Sequence, residues 1–429
     1  MGPEFGPLQR HLLSILRALY GLRYSGARWH DKLADVLRNE GFTPCRAEPD
    51  IWMLKNGEIY EYIAVYVDDL AFAMIDPGSF VENLKSKYGF KIKAAGPLEF
   101  HLGADFYRDK EGTLCMAPQK YIQRLIQSYE QMFSKKPSLK VHSPLEKNDH
   151  PELDDSELLD RSGVEQYQSI LGSLQWAISL GRFDIATAVM SMSTFRAAPR
   201  KGHLQRLQRI CGYLAKMQHA TIRFRTHVPD YSDLPSKDHD WFSIYGDVTE
   251  LLPEDAPKPL GKPVTLTHYV DANLFHDALT GLSVTGILHM MNATPIDWYS
   301  KKQSTVETAT YGSEFIAART CVEQIVDLRN TLCYLGVHVH ERSYMFGDNE
   351  SVVNSSSVPH AKLHKRHTAL SFHRVREAVA SRYVGFYFLP GASNPADVLS
   401  KHWSYATNWH LLQCLLFWQG DTADIKDKA

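Results

Sequence analysis

Beyond residue 262 the hydropathy pattern switches between strand and helix periods in an order that few folds can satisfy. Apolar runs of strand character occupy 263–271 (PVTLTHYVD), 283–291 (SVTGILHMM) and 295–300 (PIDWYS). A long helical pattern runs from about 305 to 335, with Ser304 and Glu307 spaced as a capping box and Gly336 past its end. A strand ending at Asp348, helical material at 349–381, a strand at 384–389 and a short helix near 395–402 complete the series. Three strands, helix, strand, helix, strand is an α/β layout with a mixed sheet.

The preceding chain is organised differently. Residues 8–40 read as helix, 51–54 and 60–75 as strands, 77–95 as a mildly basic helical segment and 119–134 as a helix. GPLEFHLGADFYRD and TLCMAP read as two short strands joined by a turn, and 138–162 as a loop. Two or three amphipathic helices fill 163–218. Between the halves, 226–262 holds eight acidic residues against three basic ones, with prolines at 229, 235, 253, 257 and 259. That composition marks a domain boundary. The expected parts are therefore 1–137, a helical connection at 138–225, a linker at 226–262, the mixed-sheet domain at 263–403 and a tail at 404–429.

Composition removes several function classes. A net charge of -2 over 429 residues gives no global attraction to nucleic acid, so any such contact must come from local patches. The six cysteines are dispersed without a C-x-x-C pair, which argues against a disulfide scaffold or a thiolate zinc site. Pro3 and Glu4 stand where a signal peptide would be basic and then apolar. The longest apolar stretches fall well short of the ~20 residues that span a bilayer. The expectation is a soluble intracellular protein of cytoplasm or nucleus, with no membrane partner.

Three groups of residues carry chemistry. Asp68 and Asp69 follow Tyr66-Val67 between two apolar strands. Adjacent carboxylates there repel each other and lose water, and a divalent cation relieves both costs. An ordinary solvent-facing Asp-Asp turn is the equal alternative. A second set is Asp271 at a strand end, Glu314 beside the apolar stripe of the long helix, Asp348 at a strand end and Asp397 opening the last short helix. Strand ends and a helix flank can converge at one sheet edge, and four carboxylates suit two ions ~4 Å apart acting on a phosphodiester. Taken singly, each is better explained as a cap or surface residue. The third group is the run 360–376, HAKLHKRHTALSFHRVR, with five Lys and Arg residues and no acid, which suits phosphate contact.

In order and spacing these segments resemble the Ty1/copia class of retrotransposon polyproteins, at the reverse transcriptase–ribonuclease H end. ALYGLRYSGARWHDKL, GFTPCRAEPDIW, YVDD at 66–69, GPLEFHLGADF and QYQSILGSLQWAISLGRFDIATAV are similar to its polymerase and connection segments. YVDAN, DWYSKKQSTVETATYGSEFIAA, FGDNESVV and NPADVLSKHW are similar to its ribonuclease H segments. The resemblance implies a partial reverse transcriptase palm with thumb and connection helices, then a ribonuclease H-like mixed five-stranded sheet with flanking helices. It implies Asp68 and Asp69 as polymerase carboxylates. It implies Asp271, Glu314, Asp348 and Asp397 as ribonuclease H carboxylates. All six would hold Mg2+ or Mn2+. Lys362, Lys365, Arg366, His367, His373 and Arg374 would meet nucleic acid, with His367 and His373 on the family's histidine-bearing helix.

This sequence departs from the family at Ala369 and Ser371, where an Asp and an Arg are usual, and at Phe183 in GRFDIA, where Pro is usual. The family's third polymerase carboxylate and its fingers belong before the matched segments. The expectation is thus an N-terminally truncated polymerase without primer extension, beside an intact set of nuclease acids. RNA template and RNA–DNA hybrid are the expected partners, with deoxynucleoside triphosphates only if the missing palm region is supplied. The competing expectation is a retroelement remnant that binds nucleic acid without turnover or has no function.

Overall fold

The computed structural model describes residues 22–93, 95–249, 251–340, 342–363 and 366–419. The helical pattern over 8–21 and the end of the tail, 420–429, lie outside the described residues. Two compact units make up the chain: Met1–Gly96 with Asp255–Gly261 and Tyr334–Val337, and Pro97–Glu254 with Lys262–Cys333 and His338–Ala429. That division differs from the one read from composition, because the proline-rich stretch is shared between the units.

In the first unit, helix Ser25–Asn39 buries Leu33, Ala34, Val36 and Leu37 at helical spacing. An antiparallel sheet of Thr43–Pro44, Ile51–Asn56, Ile59–Tyr66 and Asp69–Ala73 follows. Ile63 and Val65 alternate into a core with Leu37, Trp52, Phe80 and Leu84. Helix Pro77–Ser86 starts on Asp76, whose Oδ1 accepts from Ser79 N at 2.9 Å, and ends well short of residue 95.

The second unit begins with a small antiparallel sheet and the helices Gln119–Phe133, Arg161–Ser179, Ala186–Ser193 and Lys201–Lys216. Its main sheet has five strands: β1 (Leu266–Asn273), β2 (Val284–Met291), β3 (Thr294–Lys302), β4 (Ser343–Gly347) and β5 (Val384–Phe388). Their order is 3-2-1-4-5, antiparallel within the β1–β3 meander and parallel for β1–β4 and β4–β5. The crossovers are α1 (Thr310–Tyr334), then α2 (Glu350–Ser357) and α3 (Ala369–Ala380). Beyond β5 lie α4 (Asp397–Ser400) and α5 (Tyr405–Leu416).

Alternation in the strands splits the apolar residues between two faces. Val270, Ala272 and Ile287 pack with Phe315, Val322, Val353 and Val375 of the crossover helices. Leu288 and Met290 pack instead into the core of the helical segment, with Phe183, Leu174, Val398, Trp403 and Leu412. The helical segment and the sheet therefore share one core, and 138–225 is not a separate body.

Several local expectations change. Residues 404–419 are not a tail: α5 buries Trp409, Leu411, Leu412 and Leu416. The acidic stretch is not a free linker either. The Tyr231 ring lies 4.4 Å from that of Tyr344, Trp241 is buried, and Asp238 pairs with Arg342 at 2.9 Å. Helix α1 starts at Thr310, so Glu307 is no cap; it is buried and takes a hydrogen bond from His367 Nε2 at 2.8 Å. The helical material at 349–381 is two helices rather than one.

Candidate metal centre

Asp271 is not at a strand end or a sheet edge. It lies within β1, the central strand, and is 1% exposed. Its antiparallel partner is Gly286 on β2. A Cβ at position 286 would stand 2.7 Å from Ala396 O, Leu399 C and Ser400 N, so this glycine lets α4 press against the sheet. Glu314 lies in the first turns of α1 on its buried side. Asp348 directly follows β4, the parallel neighbour of β1. Ligand oxygens of Asp271, Glu314 and Asp348 all lie within 4.8 Å of one another.

Such crowding has an electrostatic signature. Burial, reinforced by the charges of Asp271 and Asp348, pushes the Glu314 carboxyl well above the usual carboxylate range, against the pull of Lys401. Burial also raises Asp348 to about 6, helped by Asp271 and Asp397 and opposed by Lys401. Three hard oxygen donors that repel one another in a buried site fit a divalent cation such as Mg2+, whose charge removes the repulsion.

Asp397 stands outside this trio. Its Oδ1 is 2.5 Å from Lys401 Nζ, and its Oδ2 accepts from Asn408 Nδ2 at 2.6 Å. Lys401 Nζ is also 3.2 Å from Asp271 Oδ2, and Ser400 Oγ donates to the same oxygen. Asp397 and Lys401 line a cleft of about 630 Å³ with His150, Asn273, His276 and His402. The segment carrying them is held from the helical region. Trp403 Nε1 donates to Asp184 O at 2.8 Å, Thr187 Oγ1 donates to Val398 O at 3.0 Å, and Asp184 is itself clamped by fully buried Arg182 at 2.7 Å. GRFDIA thus positions NPADVLSKHW, which spacing alone does not reveal. The Asp397-to-Lys401 spacing of one helical turn was the visible sign of the lysine.

The remaining candidates lie apart. Asp68 lies in the turn between strands Ile59–Tyr66 and Asp69–Ala73 and Asp69 opens the second of them, and both are exposed. Both therefore keep their water, and no desolvation cost calls for an ion at this pair. Val67 there has φ 54, an unfavourable conformation for a β-branched residue. Among the described residues no third acid, histidine or cysteine joins the pair in a ligand cluster. Lys362, Arg366, His367 and His373 are exposed and Arg374 is half-buried, while Lys365 lies outside the described residues. Lys362, Arg366 and His367 precede α3 instead of lying on one long helix. His373 Nδ1 is 2.8 Å from Tyr245 OH. Arg376, counted in the basic run, is buried and donates to the carbonyls of Ser355, Val358 and Pro359, so its charge is not available to phosphate.

Residues 8–139 match the family described as reverse transcriptase (RNA-dependent DNA polymerase). A retrovirus-related Pol polyprotein from transposon TNT 1-94 of Nicotiana tabacum is 26% identical over 402 residues, 92% of this chain and 27% of its own length. That from transposon RE1 of Arabidopsis thaliana is 25% identical over 394 residues, 91% of this chain and 24% of its own. The putative transposon Ty5-1 protein of Saccharomyces cerevisiae is 25% identical over 322 residues, 73% of this chain and 90% of that protein. The chain spans about a quarter of the length of the first two relatives. Among solved structures, a foamy viral protease-reverse transcriptase in complex with RNA/DNA hybrid aligns with 87% of this chain and 39% of its own, at 12% identity and a TM-score of 0.41. The N-terminal RNase H domain of rv2228c from Mycobacterium tuberculosis, solved as a fusion with maltose binding protein, covers 35% of this chain and 97% of its own, at 14% identity and a TM-score of 0.26. With the YVDD hairpin inside the matched segment and transposon relatives running through both units, the chain is similar to the Ty1/copia-type retrotransposon polyproteins, at their reverse transcriptase region.

Proposed function

We propose that the second unit hydrolyses the RNA strand of RNA–DNA hybrids, and that the first carries the catalytic hairpin of an RNA-directed DNA polymerase. The observation that carries the nuclease reading is the trio of carboxylates within 4.8 Å at the centre of a mixed 3-2-1-4-5 sheet. Asp271, Glu314 and Asp348, with Asp397 beside them, would hold Mg2+ or Mn2+. Bound there, the ions would supply an activated water and neutralise the leaving oxygen of the phosphodiester. The chain's own part is to fix the donors. Strand β1 and Ser400 orient Asp271, the packing of α1 orients Glu314, and Asn408 orients Asp397.

The exposed Lys362, Arg366, His367 and His373, with half-buried Arg374, are the basic groups that would meet hybrid phosphates. Asp68 and Asp69 would serve metal-dependent synthesis on an RNA template, with deoxynucleoside triphosphates as substrate where a third carboxylate completes the site. No helix among the described residues is long and apolar enough to cross a membrane. Work on RNA templates and hybrids would belong to the cytoplasm or nucleus.

Cleavage of an end-labelled RNA–DNA hybrid tests this. Magnesium-dependent cutting by the full chain is expected, lost at least a hundredfold in Asp348→Asn and kept in Asp68→Asn. Hybrid binding without cutting, or cutting that survives Asp348→Asn, would point to a non-catalytic remnant or a contaminant instead.

A further inference from the structure

Between the acid trio and the fourth acid stands a cation supplied by the chain itself. Lys401 Nζ donates to Asp271 Oδ1 at 3.3 Å, with Asp271 Oδ2 at 3.2 Å, and to Asp397 Oδ1 at 2.5 Å. We propose that Lys401 is an internal counter-cation, which holds the Asp271–Asp397 side of the cluster together without metal and must withdraw before those two carboxylates can hold a divalent ion. It rests on the metal-dependent reading above.

Three features support it. First, the lone pairs that take the ammonium hydrogens are those a hard cation would need, so the two occupants compete for the same oxygens. Second, an ammonium and a divalent ion sharing Asp271 would lie a few ångströms apart and repel strongly in a partly dehydrated site. Both cannot stay. Third, the backbone on either side is fixed while the side chain has an exit. Ser400 and His402 are buried, and Trp403 is bonded to Asp184 O. The Lys401 side chain keeps 35% exposure and lines the 630 Å³ cleft, so its flexible four-carbon stem can turn into open space without moving α4. Lys401 is then a positioning residue. Its charge sets how tightly metal is held and preserves the acid cluster when metal is scarce.

The test is calorimetric titration of MgCl2, and separately MnCl2, into the full chain, with melting midpoints recorded in chelator and in saturating metal. Lys401→Met is expected to bind the ion about tenfold more tightly than wild type, a difference of about 1.4 kcal/mol. Its midpoint in chelator should be lower and its shift on adding metal larger. Lys401→Arg, which keeps the charge, should restore wild-type affinity. If the Met variant is too unstable to titrate, Lys401→Gln, which can still hydrogen-bond to Asp397, is expected to show the same gain. Equal or weaker binding in the neutral variants, while Asp348→Asn abolishes binding, would overturn the role of Lys401 and leave the nuclease reading intact. Binding in wild type that is indifferent to Asp348→Asn would overturn both.

Discussion

At the scale of single residues, the second unit stores protonation energy in buried histidines as well as in its acids. His276 and His402 are both over nine-tenths buried, and His276 Nε2 and His402 Nε2 lie 3.0 and 3.4 Å from Ser191 Oγ. Burial, with Lys302 and His150 against Glu152 and Asp277, pulls His276 down to about 4. Burial, with His276, His150 and Arg206 against Asp149, pulls His402 down to about 3. An unfolded histidine takes a proton near its ordinary value of about 6.5, whereas these wait until about 4 and 3. Between those limits the unfolded chain binds more protons, so stability present above pH 6.5 is lost as pH falls. For His276 alone the loss is on the order of 3 kcal/mol by pH 4. Asp348, raised to about 6, acts in the opposite sense over part of that range. The informative comparison is therefore His276→Gln against wild type at each pH. The variant's melting midpoint should fall less steeply between pH 6.5 and 4.5. Parallel curves would mean that His276 is not held neutral.

Elements meet around Gly286. Its missing side chain is the reason a four-residue helix can lie on β2 and deliver Ser400 to Asp271 while Lys401 bridges Asp271 and Asp397. A methyl group there meets backbone at 2.7 Å, which cannot rotate away as a side chain would. Gly286→Ala should destabilise the second unit by about 1–3 kcal/mol and displace α4. Hybrid cleavage should drop far more than the stability loss explains. Denaturant melts and initial rates measured on one preparation separate the two effects; unchanged cleavage would show that α4 does not position the acids. Strand and helix periods are visible in the sequence, but two-residue alternation is the same for edge and centre, so it does not mark β1 as the central strand. The start of α1 differs from the sequence expectation for a related reason. Ser304 and Glu307 have capping-box spacing, but Glu307 turns to His367, sixty residues away in sequence.

On the scale of the whole chain, the acidic proline-rich stretch does two jobs. Its first half straps the main sheet through Tyr231, Asp238 and Trp241, and Arg376 lies against the Trp241 ring at 4.9 Å. Leu251 and Leu252 are 83% and 60% exposed, with little regular structure around them. Brief chymotrypsin digestion should therefore cut first near Leu251–Leu252, not throughout 226–262, and Trp241→Ala should extend the sensitive region upstream. First cuts at Tyr231 in the wild-type chain would show that the strap is not held.

What the sequence by itself determined is the set of elements and the carboxylates they carry. Asp271, Glu314 and Asp348 sit on strong apolar periods, so their elements and faces could be read from local pattern. The basic character of 360–376 was equally plain, although Arg376 proved to be committed to buried carbonyls. Only the tertiary structure decided which groups face one another. It set Asp397 beside the trio through Lys401 and Asn408, tied GRFDIA to the last acid's segment, and drew Trp241 and α5 into the cores. The physical reason is that periodicity records how a residue's own helix or strand is buried, whereas an ion pair across 130 positions or a close backbone approach at a glycine depends on partners that no local pattern contains.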